Sequence, residues 1–314
     1  MQQYLKSSVS LKAYACLLIA SVLWAGNMVA GKLAVGHISP AMLSAARWVL
    51  AALVIFALSI RPLRRDWPVI RQHLPLLLGY GFFGFASFNI LLYTALQHTS
   101  AINVVIEDAG IPLVIMGLNY ALYRIRASWA QIAGFGITAI GVILTATHGD
   151  LRNIVHLDLN IGDVLMLLAV INYGVYTVAL RYKPQIHWQS LMAIPTLGAI
   201  LAALPYLLWM SRDTGIVWPD VTGWLIVLYT GLLPSLVAQV CYVWGVELIG
   251  PNRAGLFINT IPLFGVILSV LILREPLHGF HFWALGLVVS GIVLAEWGRP
   301  KPLAPVQRHS ERST

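Results

Sequence analysis

Charge is the scarcest commodity in this chain: 10% of its 314 residues are Asp, Glu, Lys or Arg, against about a quarter in an ordinary soluble domain. So little charge means that water is not its main solvent, and a soluble globular protein is excluded. Cysteine is scarce as well. Cys16 and Cys241 lie far apart inside apolar segments without CxxC spacing, so they read as small buried hydrophobes, and neither a disulfide nor a metal site is expected. No GxxxxGK[ST] loop, HExxH or GxSxG motif occurs. Their absence removes the usual signals for ATP coupling and for metal- or serine-dependent hydrolysis, and no cofactor is implied.

What is abundant is apolar sequence, 59% of residues. The net charge of +8 does not indicate nucleic acid, because Lys and Arg sit in short gaps between apolar runs and form no basic face. Lys6 and Lys12 precede the apolar stretch Ala13 to Val35, which is too long for a signal peptide and reads as a first spanning helix. A span needs roughly twenty apolar residues to cross a hydrocarbon core about 30 Å thick. Ten stretches qualify: Lys12 to Ala34, Pro40 to Ile60, His73 to Leu96, Ser100 to Leu122, Ala127 to Thr147, Asn160 to Arg181, His187 to Met210, Val221 to Val246, Asn252 to Leu273 and His278 to Trp297. They are continuous runs without strand alternation, so the expected class is an all-α integral membrane protein.

Cytoplasmic loops collect Lys and Arg. With ten spans and a cytoplasmic N-terminus, fifteen of these side chains fall on the cytoplasmic side and four (Lys32, Arg152, Arg212, Arg274) outside, with Arg47 inside a helix. Both termini are therefore expected in the cytoplasm, and the polar tail 300–314 reads as disordered.

The two halves also resemble each other. At an offset of 150, Pro112 falls on Pro262, Arg124 on Arg274, Gly136 on Gly286, Gly141 on Gly291 and Leu144 on Leu294; one inserted residue brings Tyr93 onto Tyr242. The copies are residues 12–147 and 160–297. Five helices is an odd number, so the second copy enters from the opposite side, giving the inverted repeat of many secondary transporters, with a site near the midplane.

The strings WAGN at Trp24 to Asn27, SPAMLSAARWVLAAL at Ser39 to Leu53, YTALQHTSA at Tyr93 to Ala101, LREPL at Leu273 to Leu277 and the closing GLVVSGIVLA occur in an order and spacing that resembles the EamA-type members of the drug/metabolite transporter superfamily. The resemblance covers nearly the whole chain. Ile125 departs from it where the glutamate matched by Glu275 would recur, and Asn172 where Trp24 would predict an aromatic. The resemblance implies a ten-helix carrier of the inner membrane, often an exporter of amino acids or other small metabolites.

Polar residues within the spans mark candidate sites, since a charge at the bilayer centre costs at least about 2.5–3.5 kcal/mol. Arg47 and Glu107 each lie seven residues from an outer helix end, roughly 10 Å deep at the helical rise. Asn27, Asn103 and Asp108 join them, with Asn103 one turn from Glu107 on the same face. One acid could carry a proton as coupling ion or seat a substrate ammonium, with Arg47 tuning it or meeting a substrate carboxylate; alternatively Arg47 forms a fixed structural ion pair with an acid. Lys32, near the outer interface, is expected to snorkel. Pro112 and Pro262 free the carbonyls of Asp108 and Ile258 and could break helices at a site or only kink them. Trp24, Asn89, Tyr93, Asn172, Tyr173, Tyr176, Gln239, Tyr242 and Trp244 could line a cavity or simply pack.

Ala130 and Gly134, and Gly286 and Ser290, are spaced for close helix contact and could serve a homodimer. His148 and His156 read as solvated loop residues, and Glu275 as a cap or a partner of Arg274. The expected partners are a small-molecule substrate, a coupling proton and the lipid bilayer. A membrane-embedded enzyme, or a non-transporting receptor or assembly protein, is the competing class.

Overall fold

In the computed structural model of the chain, the described residues are 2–124, 127–150, 160–213, 216–249 and 257–297. Arg126, Arg152, His156, Arg253, the departure at Ile125 and the tail 300–314 lie outside them.

The described residues form helices and connecting turns, without a strand. In chain order the α-helices are α1 (Gln2–Leu33), α2 (Pro40–Gln72), α3 (Leu74–Tyr80), α4 (Phe88–Ala95), α5 (Ala101–Asp108), α6 (Ile111–Tyr123), α7 (Trp129–Ala146), α8 (Ile161–Ala179), α9 (Trp188–Asp213), α10 (Val221–Leu232), α11 (Ala238–Ile249), α12 (Ile261–Leu268) and α13 (Gly279–Trp297). Several join end to end through π-helical turns, Gly81–Ser87 between α3 and α4, Leu233–Val237 between α10 and α11, and Ser269–Leu273 after α12. Eight of the resulting rods are long and apolar enough to cross a membrane, and Ile261–Leu273 and Gly279–Ala295 are shorter apolar helices. The surface is apolar where a soluble protein would be charged: Leu53, Leu201, Leu271 and Trp283 are all more than half exposed. Arg47, Asn89, Asn103 and Glu107 are buried instead, as expected when lipid is the solvent.

The second helix departs from expectation. It continues past Ile60 to Gln72 despite Pro62 and Pro68, because its last turns carry Arg61, Arg64, Arg65 and Arg71 and can leave the hydrocarbon without unwinding. Polar caps start other helices. Ser100 Oγ accepts from Asn103 N, Ser128 forms a capping box with Gln131, and Asn160 Oδ1 accepts from Gly162 N.

The packing of the two halves is reciprocal. α1 packs on α11 and α12 while α8 packs on α4 and α6, and α2 packs on α9. α7 packs on α13, where a Cβ on Gly134 would lie 2.4 Å from Gly291 O and one on Gly141 would lie 2.8 Å from Ala284 O. Low numbers on one helix meet high numbers on the other, so the crossing is antiparallel. Moreover, the offset of 150 turns the pair 134/291 into 284/141, which is the second contact. This corrects the expected small-residue stripe: Gly286 faces open space and Ser290 is exposed, while Gly134, Gly141, Ala284 and Gly291 make the approach. Matched positions also share backbone form. Arg124 and Arg274 are both left-handed, each with φ 56°, and each ends a helix. Pro112 and Pro262 each stand in the first turn after a break.

Candidate functional site

Arg47 sits on α2, 5% exposed, and four side chains from three other segments converge on it. Its Nε donates to Ser235 Oγ at 2.8 Å, and its Nη1 to Asn27 Oδ1 at 3.0 Å, to Asn89 Oδ1 at 2.5 Å and to the Tyr93 hydroxyl. These acceptors are themselves fixed. Tyr93 donates to Asn27 Oδ1 at 2.9 Å, Asn89 Nδ2 to Phe85 O at 2.7 Å, and Ser235 Oγ to Thr230 O at 2.8 Å. The last bond spans five residues and belongs to the π-turn at Leu233–Val237, which brings Ser235 onto the guanidinium. Trp48 lies with its ring centroid 4.9 Å from Arg47 Cζ and stacks on Phe85.

Every partner of Arg47 is neutral. Among the described residues the guanidinium has no ion pair, and Nη2 donates to nothing. The neighbouring Trp48 Nε1 is buried without an acceptor. The fixed Arg47–acid pair, one of the two alternatives the sequence leaves open, is therefore not formed among the described residues.

Glu107, the last residue but one of α5, is fully buried, and neither carboxylate oxygen finds a partner among the described residues; Asp108 Oδ1 is in the same condition. Both precede the break at Ala109 and Gly110, where α6 restarts with Pro112 in its first turn. Pro262 marks the equivalent start of α12. Unpaired buried carboxyls are costly, and the partnerless oxygens of Glu107 and Asp108 stand together just before this break.

Asn103, one turn before Glu107, belongs to a different group. Its Oδ1 meets His281 Nε2 at 3.1 Å, and its Nδ2 donates to Thr99 Oγ1 at 3.1 Å and to Asp163 Oδ1 at 3.5 Å. Asp163 also accepts from Thr99 and pairs with His148 Nε2 at 2.9 Å, so His148 is an exposed turn residue, as expected, that also holds a buried partner. Lys32 Nζ donates to Leu96 O at 2.9 Å and Thr99 O at 2.6 Å, carbonyls at the end of the neighbouring helix. Glu275 is a cap, but for a remote helix: its oxygens accept from Ala101 N at 2.9 Å and Ile102 N at 3.0 Å at the start of α5. Lys32, Asn103, His148, Glu275 and His281 line a cavity of about 300 Å³ at this end of the bundle.

The aromatic candidates divide. Tyr176 lies in an aromatic train with Tyr80, Phe85 and Tyr173. Trp24 packs on Tyr242 at 5.4 Å and donates to Pro234 O, while Asn172 donates to Phe83 O. Gln239 is half-buried on the helix that carries Tyr242. Trp244 is more than half exposed and faces outward, correcting its placement in a cavity. Among the described residues no His, Cys, Asp or Glu cluster is arranged to hold a metal. Ser235 and Asp163 were not singled out by sequence; an acid in the first turn of a span was the available signal for Asp163.

Comparison with known proteins places this geometry in a family. A profile of the EamA-like transporter family matches residues 11–147 and again 160–297. The uncharacterized transporter YetK of Bacillus subtilis (strain 168) is 26% identical over 292 residues, covering 92% of this chain and 88% of its own. The uncharacterized transporter YyaM of the same organism is 23% identical over 251 residues, covering 79% and 82%. One solved crystal structure shares the fold, with a TM-score of 0.61 at 20% identity over 94% of this chain and 99% of its own. Apolar rods, buried polar clusters and a twice-matched profile agree, and the chain belongs to the EamA-like transporter family as a multi-pass membrane protein.

Proposed function

We propose that the protein is a secondary carrier of small carboxylate-bearing metabolites, amino acids or their relatives, working outward by alternating access. The observation that carries this reading is Arg47, a buried cation with four neutral partners, no counter-ion among the described residues and an Nη2 edge without an acceptor. A lone buried charge is unfavourable unless something meets it, and a carboxylate is the natural complement of a guanidinium edge. Glu107, at the helix break, is the coupling carboxyl, taking a proton when the substrate leaves. Asn27, Asn89 and Tyr93 orient the arginine, while Asp108, Tyr176, Gln239 and Tyr242 border the path beyond it.

Ten spans in two inverted halves, with both termini cytoplasmic, suit this reading. The antiparallel crossing of α7 and α13 and the reciprocal packing of the halves are what a pseudo-two-fold axis in the membrane plane requires. The transporter names of the family and its relatives favour a carrier over an enzyme or a scaffold.

Counterflow in proteoliposomes tests the proposal. Labelled carboxylates should exchange saturably, and their amide analogues should exchange poorly. Equal exchange of acid and amide, or none of either across a broad panel, would refute it.

A further inference from the structure

The end of the bundle that carries Lys32 holds a polar pocket whose chemistry the carrier reading has not used. Four histidines line it, His98, His148, His278 and His281, beside Lys32, Asn103 and Glu275. Most of these groups are already committed. Lys32 is tied to two carbonyls and Glu275 to two backbone N–H groups. His281 is held by hydrogen bonds in one neutral form: Nδ1 accepts from His278 N at 3.1 Å, so Nε2 must be the nitrogen that donates to Asn103 Oδ1. Neither His98 nor His278 contacts a buried acid.

His148 differs from all of them. It follows the end of α7 with a left-handed backbone, φ 52°, a conformation uncommon outside glycine. That turn aims its Nε2 at Asp163 Oδ2, 2.9 Å away, while its side chain remains 43% exposed and Asp163 only 1%. One ring nitrogen thus serves a buried carboxylate, and Nδ1 is left for the pocket. Asp163 is bound further by Thr99 and Asn103, and Asn103 stands one turn before Glu107 on the same face of the helix. Of the elements packed on α5, α8 brings Asp163, α7 leads to His148, α13 brings His281 and α1 brings Lys32, whereas α12 brings no titratable group.

We infer that His148 and Asp163 form the proton port through which Glu107 is protonated from the compartment facing this pocket. Nδ1 of His148 takes a proton from solution, and the Nε2 proton passes to Asp163 Oδ2, leaving a neutral ring with its proton exchanged between nitrogens. Asp163 then passes the proton by way of water to a Glu107 oxygen and returns to the carboxylate. The inference rests on the coupling role proposed for Glu107.

The test uses the full-length protein in lipid vesicles with the pocket facing outward. External pH is stepped down, and the infrared carbonyl band of protonated Glu107, defined as the band missing in Glu107→Gln, is followed in time. Transfer by a positioned side chain is worth about 10²-fold or more, so His148→Ala should slow the band's appearance about a hundredfold without reducing its final amplitude. Added imidazole should restore the rate in His148→Ala but not in Asp163→Asn. A wild-type rate in folded His148→Ala, or slowing that imidazole does not relieve, would overturn the port while leaving the coupling role of Glu107 intact. If Glu107→Gln removes no titrating band, Glu107 exchanges no proton and both readings fall.

Discussion

A single methyl group added at chosen glycines should change stability with opposite sign, depending on the position. A Cβ at Gly134 would lie 2.4 Å from Gly291 O, 2.5 Å from Ala295 N and 2.9 Å from Ala295 Cβ. Two of these are backbone atoms, so no rotamer change relieves the clash and α7 must move away from α13. Overpacking of this kind costs about 1–3 kcal/mol, and the 2.4 Å approach puts Gly134→Ala toward the upper part of that range. Against it stands the about 0.4–1 kcal/mol gained when alanine replaces a glycine of compatible backbone. The expected net loss is about 1–2 kcal/mol. At Gly136 and Gly286 nothing lies within 4 Å of the added Cβ, so only the gain remains and both variants should be neutral or slightly more stable. Gly141→Ala, with its nearest backbone atom at 2.8 Å, should fall between. Unfolding of purified protein in mixed micelles, titrated with a denaturing detergent, would give the order. Similar losses at Gly134 and Gly286 would refute the antiparallel crossing as described.

Other consequences are as direct. Glu275→Ala leaves two N–H groups at the start of α5 without their acceptors and should cost about 0.5–2 kcal/mol, as other lost N-caps do, with Glu275→Gln milder; thermal unfolding would show it, and equal melting of all three proteins would contradict the cap. Asp220 caps α10 and pairs with His37 across 2.7 Å, and the Gly223 N–H, then the His37 imidazole, hold its carboxyl below the ordinary value. A lowered folded value favours the folded state above the unfolded value of about 3.9 and loses that contribution as pH falls through the lower one. The stability difference between the protein and Asp220→Asn should therefore be constant near neutrality and shrink only below the usual carboxylate range; a difference that disappeared between about pH 6 and 8, the histidine window, would place the effect on His37 instead.

Much of the fold is legible in the sequence because lipid imposes a simple rule: apolar runs of sufficient length become helices. Where this fails, the reason is local. The last turns of α2 are too charged for hydropathy to include, yet they stay helical. The candidate site is legible in one coordinate only. Position along a span gives depth through the helical rise, which placed Arg47 and Glu107 at one level, but it does not give rotation about the helix axis or the tilt of neighbours. Arg47 therefore turned toward Asn27, Asn89 and Tyr93, while Glu107 faces elsewhere. Ser235 was invisible for a related reason: serine in a membrane helix usually bonds its own preceding turn, and only the π-turn makes it a ligand of the arginine. The same limit applies to small-residue spacing, which identifies a face of α13 without telling which of Gly286 and Gly291 meets α7.

The arginine itself provides the decisive experiment. A charge-assisted hydrogen bond is worth about 1.5–3 kcal/mol, and each 1.4 kcal/mol is a factor of about ten in affinity. For a carboxylate that exchanges saturably in proteoliposomes, Arg47→Gln should therefore lower apparent affinity at least about tenfold and abolish the preference for acid over amide, in protein that still folds. Unchanged affinity and unchanged preference in Arg47→Gln would contradict the account.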